Sequence, residues 1–241
     1  MPRLALQPLL AFVLLGCAGK DGAAVAARPA APVRASLPPI NAAPVGVGGA
    51  ALDSATMALL AKADQGRIIG SESATVWLII ISDFQCPFCK NWHDETWAAI
   101  KKDYVDTGKI RVAYVNLPLS MHRNAWPAAH AAMCAAVQGK FWPMQDALFR
   151  TQQEWEKSDN PGPFYEKLAA ETGANVEDLR ACVKAEAMLP LIKGDVDRAT
   201  SAGAQSTPTF FVGGRPVIGA QPLSVFREAL DAALAPKPAS K

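Results

Sequence analysis

The stretch TVWLIIISDFQCPFC, residues 75–89, decides the fold of this 241-residue chain. Residues 75–82 are β-branched or apolar almost throughout, which is typical of a strand buried on both faces of a sheet. Two cysteines follow at once, Cys86 and Cys89, and residues 89–103 have a helical composition. The stretch therefore predicts a buried strand that leads directly into a helix with a Cys-Pro-Phe-Cys motif at its start.

On either side of this stretch, strand patterns and helix patterns follow one another. A short helix is predicted over residues 53–63, with Asp53 or Ser54 as its N-cap. Residues 109–116 predict a second central strand, and a strand–helix–strand order implies a right-handed parallel pair. Further helices are predicted at 124–138, 140–152, 163–172, 176–186, 189–202 and 222–234, and a hairpin of two short strands at 209–212 and 216–218. The fold class is α/β, a central mixed sheet flanked by helices with a helical insertion at about 121–203.

The N-terminal residues predict export. Arg3 is a minimal positive region, and residues 4–16 are apolar but shorter than the about 20 residues that a membrane span needs. The sequence Leu14-Leu15-Gly16-Cys17 resembles a bacterial lipobox, in which cleavage removes residues 1–16 and a lipid is attached to Cys17. The alternative is a plain secretion signal that is cut after residues 24–26. Disulfides are permissible in the exported chain in either case.

Residues 17–52 predict a tether between the lipid and a globular domain at 53–241. The segment is rich in alanine, proline and glycine and has no period of 2 or 3.6. As a flexible coil, it spans about 30 Å, which lets a domain stand away from the membrane. We expect this domain to lie on the periplasmic side, with soluble secretion as the alternative. The net charge of +2 gives no reason to expect nucleic acid as a partner.

The two motif cysteines are predicted to be a redox pair. Cys86 lies where the helix begins, near unpaired backbone N–H groups and the positive end of the helix dipole, and both lower the pKa of a thiol. We therefore expect Cys86 to be the nucleophile and Cys89, one turn later, to resolve the mixed disulfide. Pro87 suits the first helical position because it needs no N–H. Phe88 offers no donor or charge, so we attribute the stabilisation of the thiolate mainly to the helix start.

Other uses of a Cys-x-x-Cys pair stay open. The same pair is half of a zinc site, but a complete site would need further ligands and the sequence has no second pair of this spacing. An inert structural bridge is a third interpretation. The rival function from another class is a non-catalytic anchored module that binds metal through Cys86, Cys89 and His93. We favour redox chemistry and expect neither a metal nor a cofactor beyond the disulfide itself.

A second element is the sequence Ser206-Thr207-Pro208-Thr209. A proline at the start of a strand removes a backbone donor, and an X-Pro bond at such a place can be cis. A simple strand-initiating proline is the plainer interpretation of the segment alone. Together with the strand, motif and helix upstream, it favours a place for Thr207 and Pro208 beside the cysteines.

Four segments together resemble the DsbA family of bacterial thiol–disulfide oxidoreductases, over about residues 70–234. They occur in family order and are 82–89 (SDFQCPFC), 116–119 (NLPL), 138–142 (QGKFW) and 207–214 (TPTFFVGG). The resemblance implies a thioredoxin fold with an inserted helical domain, and disulfide exchange with exported proteins. It implies Cys86 as nucleophile, Cys89 as resolving thiol, and a cis-proline at Pro208 against the disulfide. A quinone-linked membrane redox partner, DsbB-like or equivalent, is implied as well.

One departure from the family pattern concerns Phe88. The most strongly oxidising members have histidine at this position, where it can stabilise the thiolate. We expect disulfide formation as the main activity, with reduction or isomerisation of disulfides as the alternative. We also expect a monomer.

The remaining cysteines, Cys134 and Cys182, lie on inward faces of predicted helices in the insertion. In an exported protein we predict that they pair, and family members often carry such a second bridge; two separate reduced core thiols are the alternative. We interpret His130, in the same alanine-rich helix as Cys134, as a structural histidine.

Overall fold

The structure is a computed structural model that describes residues 53–236. The predicted signal peptide, the lipid attachment site Cys17 and the tether to residue 52 lie outside the described residues. Helix α1, Ser54–Gly66, begins after Asp53, whose carboxylate accepts a hydrogen bond from the backbone N–H of Thr56 at 2.8 Å. This helix start is one of the two predicted.

A five-stranded mixed sheet forms the centre of the domain. Its strands are β1 (Ile68–Gly70), β2 (Val76–Ser82), β3 (Ile110–Asn116), β4 (Thr209–Val212) and β5 (Arg215–Ile218), in the order β1-β3-β2-β4-β5. Strands β2 and β3 are parallel, and the other neighbours are antiparallel. The predicted parallel pair and terminal hairpin are confirmed.

The helices follow the predicted order. A continuous helical stretch after β2 contains α2 (Pro87–Trp92), a π-helical turn (His93–Trp97), α3 (Ala98–Ile100) and a second π-helical turn (Lys101–Val105). The insertion contains α4 (Ala125–Val137), α5 (Phe141–Arg150), α6 (Gln152–Trp155), α7 (Gly162–Glu171), α8 (Val176–Lys184) and α9 (Leu189–Ser201), and α10 (Leu223–Leu234) closes the fold. The π-helical turns had no signal in the sequence.

Alternate residues of β2 enter two different hydrophobic cores. Leu78 and Ile80 pack in the larger core together with residues of α1, α2, α4 and α10. Ile79 and Ile81 pack in a smaller core against residues of α9 and of the segment after it. Because both faces are covered, almost every position of β2 must be apolar. The predicted α/β class is confirmed.

Strand β1 was missed by the sequence analysis. It has only three residues, which are too few to show a period of two. Its last residue, Gly70, has φ of 106°, and a Cβ at this position would lie 2.3 Å from the carbonyl oxygen of Ile110. The glycine is needed where the edge strand leaves β3.

A buried network of charges fixes helix α9 of the insertion to the sheet. Arg67 and Asp195 are fully buried, and the Arg67 guanidinium pairs with Asp195 and with Asp64. The Asp195 carboxylate also accepts hydrogen bonds from the backbone and the side-chain amide of Asn116, at 3.0 and 2.8 Å. Asn116 is the register partner of Ser82. The network therefore joins the insertion to the carboxyl ends of β2 and β3, and the cysteine motif follows β2 at this end.

Helices long and apolar enough to cross a membrane are absent from residues 53–236.

Candidate redox site

A tight turn joins β2 to the motif. The Asp83 carboxylate accepts a hydrogen bond from the backbone N–H of Gln85 at 2.8 Å, and the Cys86 N–H donates to the Asp83 carbonyl at 3.1 Å. From the insertion, the Gln152 side chain donates to the carbonyls of Phe84 and Cys86 at 2.7 and 3.2 Å. The turn is thus held by its own hydrogen bonds and by those of Gln152 from the helical insertion.

The two cysteines lie at the start of α2. Cys86 is the N-cap residue, with extended backbone dihedrals, and Pro87 is the first helical residue. Both cysteines are free thiols, and they are 3% and 1% exposed. Cys89 lies three positions later, within the first turn of the helix.

The structure brings Thr207 and Pro208 next to Cys86. The peptide bond between Thr207 and Pro208 is cis, and the Cys86 Sγ donates a hydrogen bond to the Thr207 carbonyl at 3.5 Å. The strand pairing explains why these residues lie close together: β4 runs antiparallel to β2 and pairs Thr209 with Ile81. The start of one strand therefore lies beside the end of the other.

The surroundings of Cys86 lower its pKa from the ordinary 9.0 to about 6. The largest contribution is a hydrogen bond from the Cys89 thiol, and burial opposes it. The Thr207 side chain contributes next, followed by the backbone N–H groups of Cys89 and Phe88. The helix start therefore does not act alone on the pKa of Cys86. The backbone groups assist, but side chains on both sides of the sulfur contribute more.

Burial raises the pKa of Cys89 well above its ordinary value, and the neighbouring Cys86 raises it further. One thiol of the pair is thus ionised at neutral pH while the other keeps its proton. Such a pair has the nucleophile and the buried second thiol that thiol–disulfide exchange needs.

Sequence reasoning missed a pair beside the motif, the buried Asp83 and the half-buried His122. The second carboxylate oxygen of Asp83 lies 2.7 Å from the Nδ1 atom of His122 and accepts the backbone N–H of Leu119 at 2.9 Å. Burial raises the pKa of Asp83. This carboxylate ties the turn before Cys86 to the loop after β3. An aspartate directly after a wholly buried strand was the available signal.

His93 does not join the two cysteines. Its Nδ1 atom lies 3.1 Å from Asp94, and its Nε2 atom lies 2.9 Å from Asp146 on α5. In the described part of the chain, one group of three such side chains has its ligand-type atoms all within 4.8 Å of one another, and it consists of His130, Cys134 and Cys182. The structure therefore does not bring His93 together with Cys86 and Cys89, as the alternative of a metal module would need.

Three large apolar side chains of the described chain are exposed, and we call them the apolar rim. They are Phe88, Met121 and Ile218, with exposed fractions of 62%, 79% and 62%. Met121 precedes His122, whose ring contacts Asp83. Ile218 is the register partner of Thr209, and the N–H of the next residue, Gly219, donates to the Pro208 carbonyl at 2.8 Å. Each member of the rim therefore belongs to a segment that is tied to the cysteine motif.

The other two cysteines of the described chain lie in the insertion. Cys134 on α4 and Cys182 on α8 are joined by a disulfide, with 5.8 Å between their Cα atoms. The bond links the two helices through cysteines that are 48 positions apart in the sequence.

The sheet order, the motif at the start of α2, the cis-proline beside it and the helical insertion define a protein of thioredoxin fold with an inserted helical domain. The family model described as Thioredoxin matches residues 62–232. The chain belongs to this thioredoxin family, and within it the chain is DsbA-like.

Curated relatives carry two kinds of name. The chain is 26% identical to the probable disulfide bond formation protein D of Bacillus anthracis over 152 residues, which cover 61% of this chain and 69% of the relative. It is 33% identical to the Na(+)/H(+) antiporter NhaA of Herminiimonas arsenicoxydans over 153 residues, which cover 64% of this chain and 23% of the antiporter. The chain thus spans about a quarter of the length of the antiporters that it matches.

Solved structures support the fold. BdbD from Bacillus subtilis, in its oxidised form, matches with a TM-score of 0.65 and 23% identity, over 70% of this chain and 94% of that one. The alpha-DsbA1 protein of Wolbachia pipientis matches with a TM-score of 0.63 and 20% identity, over 70% and 90% of the two chains.

Proposed function

We propose that this protein is an exported thiol–disulfide oxidoreductase that exchanges disulfides with extracytoplasmic proteins through Cys86 and Cys89. The observation that carries the proposal is the placement of two free thiols at the start of α2, with the Cys86 Sγ 3.5 Å from the carbonyl of Thr207, directly before the cis Thr207–Pro208 bond. The lowered pKa of Cys86 and the raised pKa of Cys89 agree with it. The lowered pKa makes Cys86 both a good nucleophile and a good leaving group, whereas Cys89 is kept neutral until the pair reacts.

The reaction begins with the pair oxidised. A substrate thiolate attacks the Cys86 Sγ, and the Cys86–Cys89 bond breaks; Cys89 leaves with the electron pair and takes a proton, because burial disfavours its thiolate. A second substrate thiolate then attacks the substrate sulfur of the mixed disulfide. Cys86 leaves as a thiolate, the substrate gains a disulfide, and the enzyme has gained two electrons. The same steps in reverse reduce or rearrange substrate disulfides.

The favoured direction is disulfide formation. A thiolate that is stabilised in the reduced enzyme makes the disulfide easier to reduce, and therefore more oxidising. The pKa of about 6 for Cys86 acts in this direction although position 88 is phenylalanine and not histidine. The reduced enzyme must then be reoxidised, and we assign this step to a membrane redox partner of the quinone-linked, DsbB-like kind. The enzyme itself needs no cofactor other than its own disulfide.

The apolar rim provides a surface for the substrate. Oxidative folding acts on chains that still expose apolar side chains and thiols, and Phe88, Met121 and Ile218 offer such a chain apolar contacts around the sulfur. An extended segment can also pair with the backbone beside the cis-proline. The substrates are therefore unfolded or partly folded proteins rather than one specific partner.

The domain organisation remains part of this proposal. We assign residues 1–16 to a signal peptide, Cys17 to lipid attachment, 17–52 to a tether and 53–241 to a monomeric catalytic domain with its insertion at about 121–203. The lipid holds the enzyme at the periplasmic side of a membrane, near its redox partner. Mass spectrometry of the N-terminal peptide from membrane fractions tests this assignment. A mature chain that begins beyond Cys17 would contradict it.

The activity is tested by trapping the mixed disulfide. The Cys89→Ser variant, treated with a denatured reduced protein and an oxidant, should accumulate a covalent adduct at Cys86, because no resolving thiol is left. The Cys86→Ser variant should form none. A control in which both Cys134 and Cys182 are replaced by serine keeps the active pair and should oxidise the substrate normally. Equal trapping by Cys86→Ser would overturn the roles assigned to the two thiols.

The direction is tested by the reduction potential of the Cys86–Cys89 pair in glutathione buffers. We expect a value well above that of thioredoxin, which lies at about −270 mV. A value at or below that level would assign the protein to disulfide reduction.

A further inference from the structure

The insertion contains a second cluster of side chains with metal-binding chemistry. His130 and Cys134 lie four positions apart on α4, so they share one face of the helix, and Cys182 faces them from α8. One ligand atom from each of the three residues lies within 4.8 Å of the other two. None of these atoms takes part in the reaction at Cys86.

His130 is poorly provided with hydrogen bonds for a buried side chain. It is 6% exposed in a helix of mostly alanine, and its Nε2 atom accepts one long bond, 3.4 Å, from the backbone N–H of Met188. A polar ring in such a place is costly unless it has good partners. Packing of the alanine-rich helix does not explain why the histidine is there, but a role as a ligand does.

The turn after α8 holds the cluster together. The N–H of Ala187 donates to the Cys182 carbonyl at 3.2 Å, and the next residue, Met188, donates to His130. Between Cys182 and these residues lies Glu186, which has φ of 52° and is the one non-glycine residue of the described chain with a positive φ. Backbone strain of this kind persists where the surrounding structure fixes it, often at ligand sites.

We propose that His130, Cys134 and Cys182 form a zinc site when the disulfide is reduced. A protein dithiol supplies the electrons: its thiolate attacks the sulfur of the half-buried Cys182, and Cys134 leaves with the electron pair and takes a proton. The second thiol of the partner then loses its proton and attacks the partner's own sulfur in the mixed disulfide, and Cys182 leaves with the electron pair and takes a proton. The partner ends as a disulfide. Zn²⁺ then displaces one proton from each cysteine and binds two thiolates and one imidazole.

Charge selects zinc over a monovalent soft cation. Two thiolates, a neutral imidazole and Zn²⁺ sum to zero, whereas Cu⁺ in the same site leaves one negative charge. Cys134 is 1% exposed, and an uncompensated charge is expensive at such a depth. Three protein ligands leave the fourth tetrahedral position for a water molecule. The disulfide and the metal therefore exclude each other, and the site reports the redox state of the insertion.

The test uses the full-length chain with Cys17→Ser, Cys86→Ser and Cys89→Ser, in which Cys134 and Cys182 are the only cysteines left. The protein is reduced with a phosphine and titrated with Zn²⁺ against a chromophoric chelator. We expect about one equivalent bound to the reduced chain and less than a tenth of that to the oxidised chain. Co²⁺ in place of Zn²⁺ should give thiolate-to-metal absorption and the visible bands of tetrahedral coordination.

Adding His130→Ala should weaken Zn²⁺ binding at least tenfold, and the matched control His93→Ala should leave it unchanged. Circular dichroism establishes that each reduced variant is folded. The proposal is overturned if the reduced protein binds no zinc, if His130→Ala binds as tightly as its parent, or if reduction alone unfolds the chain. None of these results affects the activity proposed for Cys86, since that pair is absent from the test.

Discussion

The two cysteine pairs of this protein differ in their surroundings, although three of the four cysteines are buried and Cys182 is half-buried. Cys86, Cys89 and Cys134 are all at most 3% exposed. Cys86 lies at a helix start that follows β2, and the segment that leads into β4 lies beside it. Hydrogen-bond donors surround its sulfur. Cys134 lies inside a helix, surrounded by alanines and bonded to Cys182. Position relative to backbone and side-chain donors, rather than exposure alone, therefore separates the thiol that reacts with substrate from the thiols of the insertion.

The largest effect that follows from this comparison is on activity. Cys86→Ser should lower the rate of disulfide transfer to a dithiol peptide by more than about 1,000-fold, because the nucleophile and leaving group are lost. Replacement of both Cys134 and Cys182 by serine should change the same rate less than about threefold at a temperature where the variant is folded. Fluorescence of a peptide that closes on oxidation measures both. A large loss in the double variant would remove the distinction between the pairs.

For the free energy of unfolding, loss of the Cys134–Cys182 pair should have a larger effect than loss of the Cys86–Cys89 pair. The bond between Cys134 and Cys182 joins positions 48 apart, and a loop of this size corresponds to about 4 kcal/mol of chain entropy. Cys134→Ala with Cys182→Ala should lower the free energy of unfolding by about this amount in a urea titration. The control, Cys86→Ala with Cys89→Ala, removes a loop with only two residues inside it and should have a smaller effect. Equal losses would show that loop length does not govern the difference.

The buried charges that join the insertion to the sheet give a further prediction. Asp195→Asn leaves the fully buried Arg67 guanidinium with a weaker partner, and breaking such a pair costs about 3 kcal/mol or more. Asp197→Asn, an exposed change on the same helix, is the control and should stay within about 0.5 kcal/mol. Urea unfolding of both variants decides the comparison. A neutral effect of Asp195→Asn would mean that the network does not hold α9 to the sheet.

The sequence was sufficient for those parts of the fold that local pattern determines. The nearly all-apolar run of β2, the alternating β3 and the alanine-rich α4 are each long enough to show their pattern, and all three were predicted, with β2 and β3 as a parallel pair. Strand β1 was not, because three residues show no period and the strand exists only by pairing with β3.

The site shows the same boundary between local and distant effects. Cys86 and Cys89 were recognisable because the motif is contiguous. The Asp83–His122 contact and the leading role of Cys89 in the pKa of Cys86 depend on side-chain positions, which no spacing in the sequence encodes. His93 illustrates the opposite error: it is close to the cysteines in sequence, but the helix directs its ring toward Asp94 and Asp146.

The smallest expected effect concerns the donors around Cys86. Thr207→Val removes a hydroxyl that lowers the pKa of Cys86, and a hydrogen bond to a charged group is worth about 1.5 kcal/mol. The pKa should therefore rise by about 1, from about 6 toward 7, since one pKa unit equals about 1.4 kcal/mol. The thiolate absorbance near 240 nm of the reduced protein, followed against pH, measures the change. The Cys86→Ser variant supplies the baseline.

The same substitution should alter how stability depends on pH. Because the pKa of Cys86 is lower in the folded protein than the ordinary 9.0, its thiolate stabilises the reduced form fully near pH 9. That contribution falls as the pH drops and is gone below about pH 6; the oxidised form has no such thiol. Above pH 9 the raised pKa of Cys89 acts in the opposite sense. Thr207→Val should make the total gain in stability of the reduced form between pH 6 and 9 smaller, because the gain begins at a higher pH. An unchanged total gain would mean that the hydroxyl does not stabilise the thiolate.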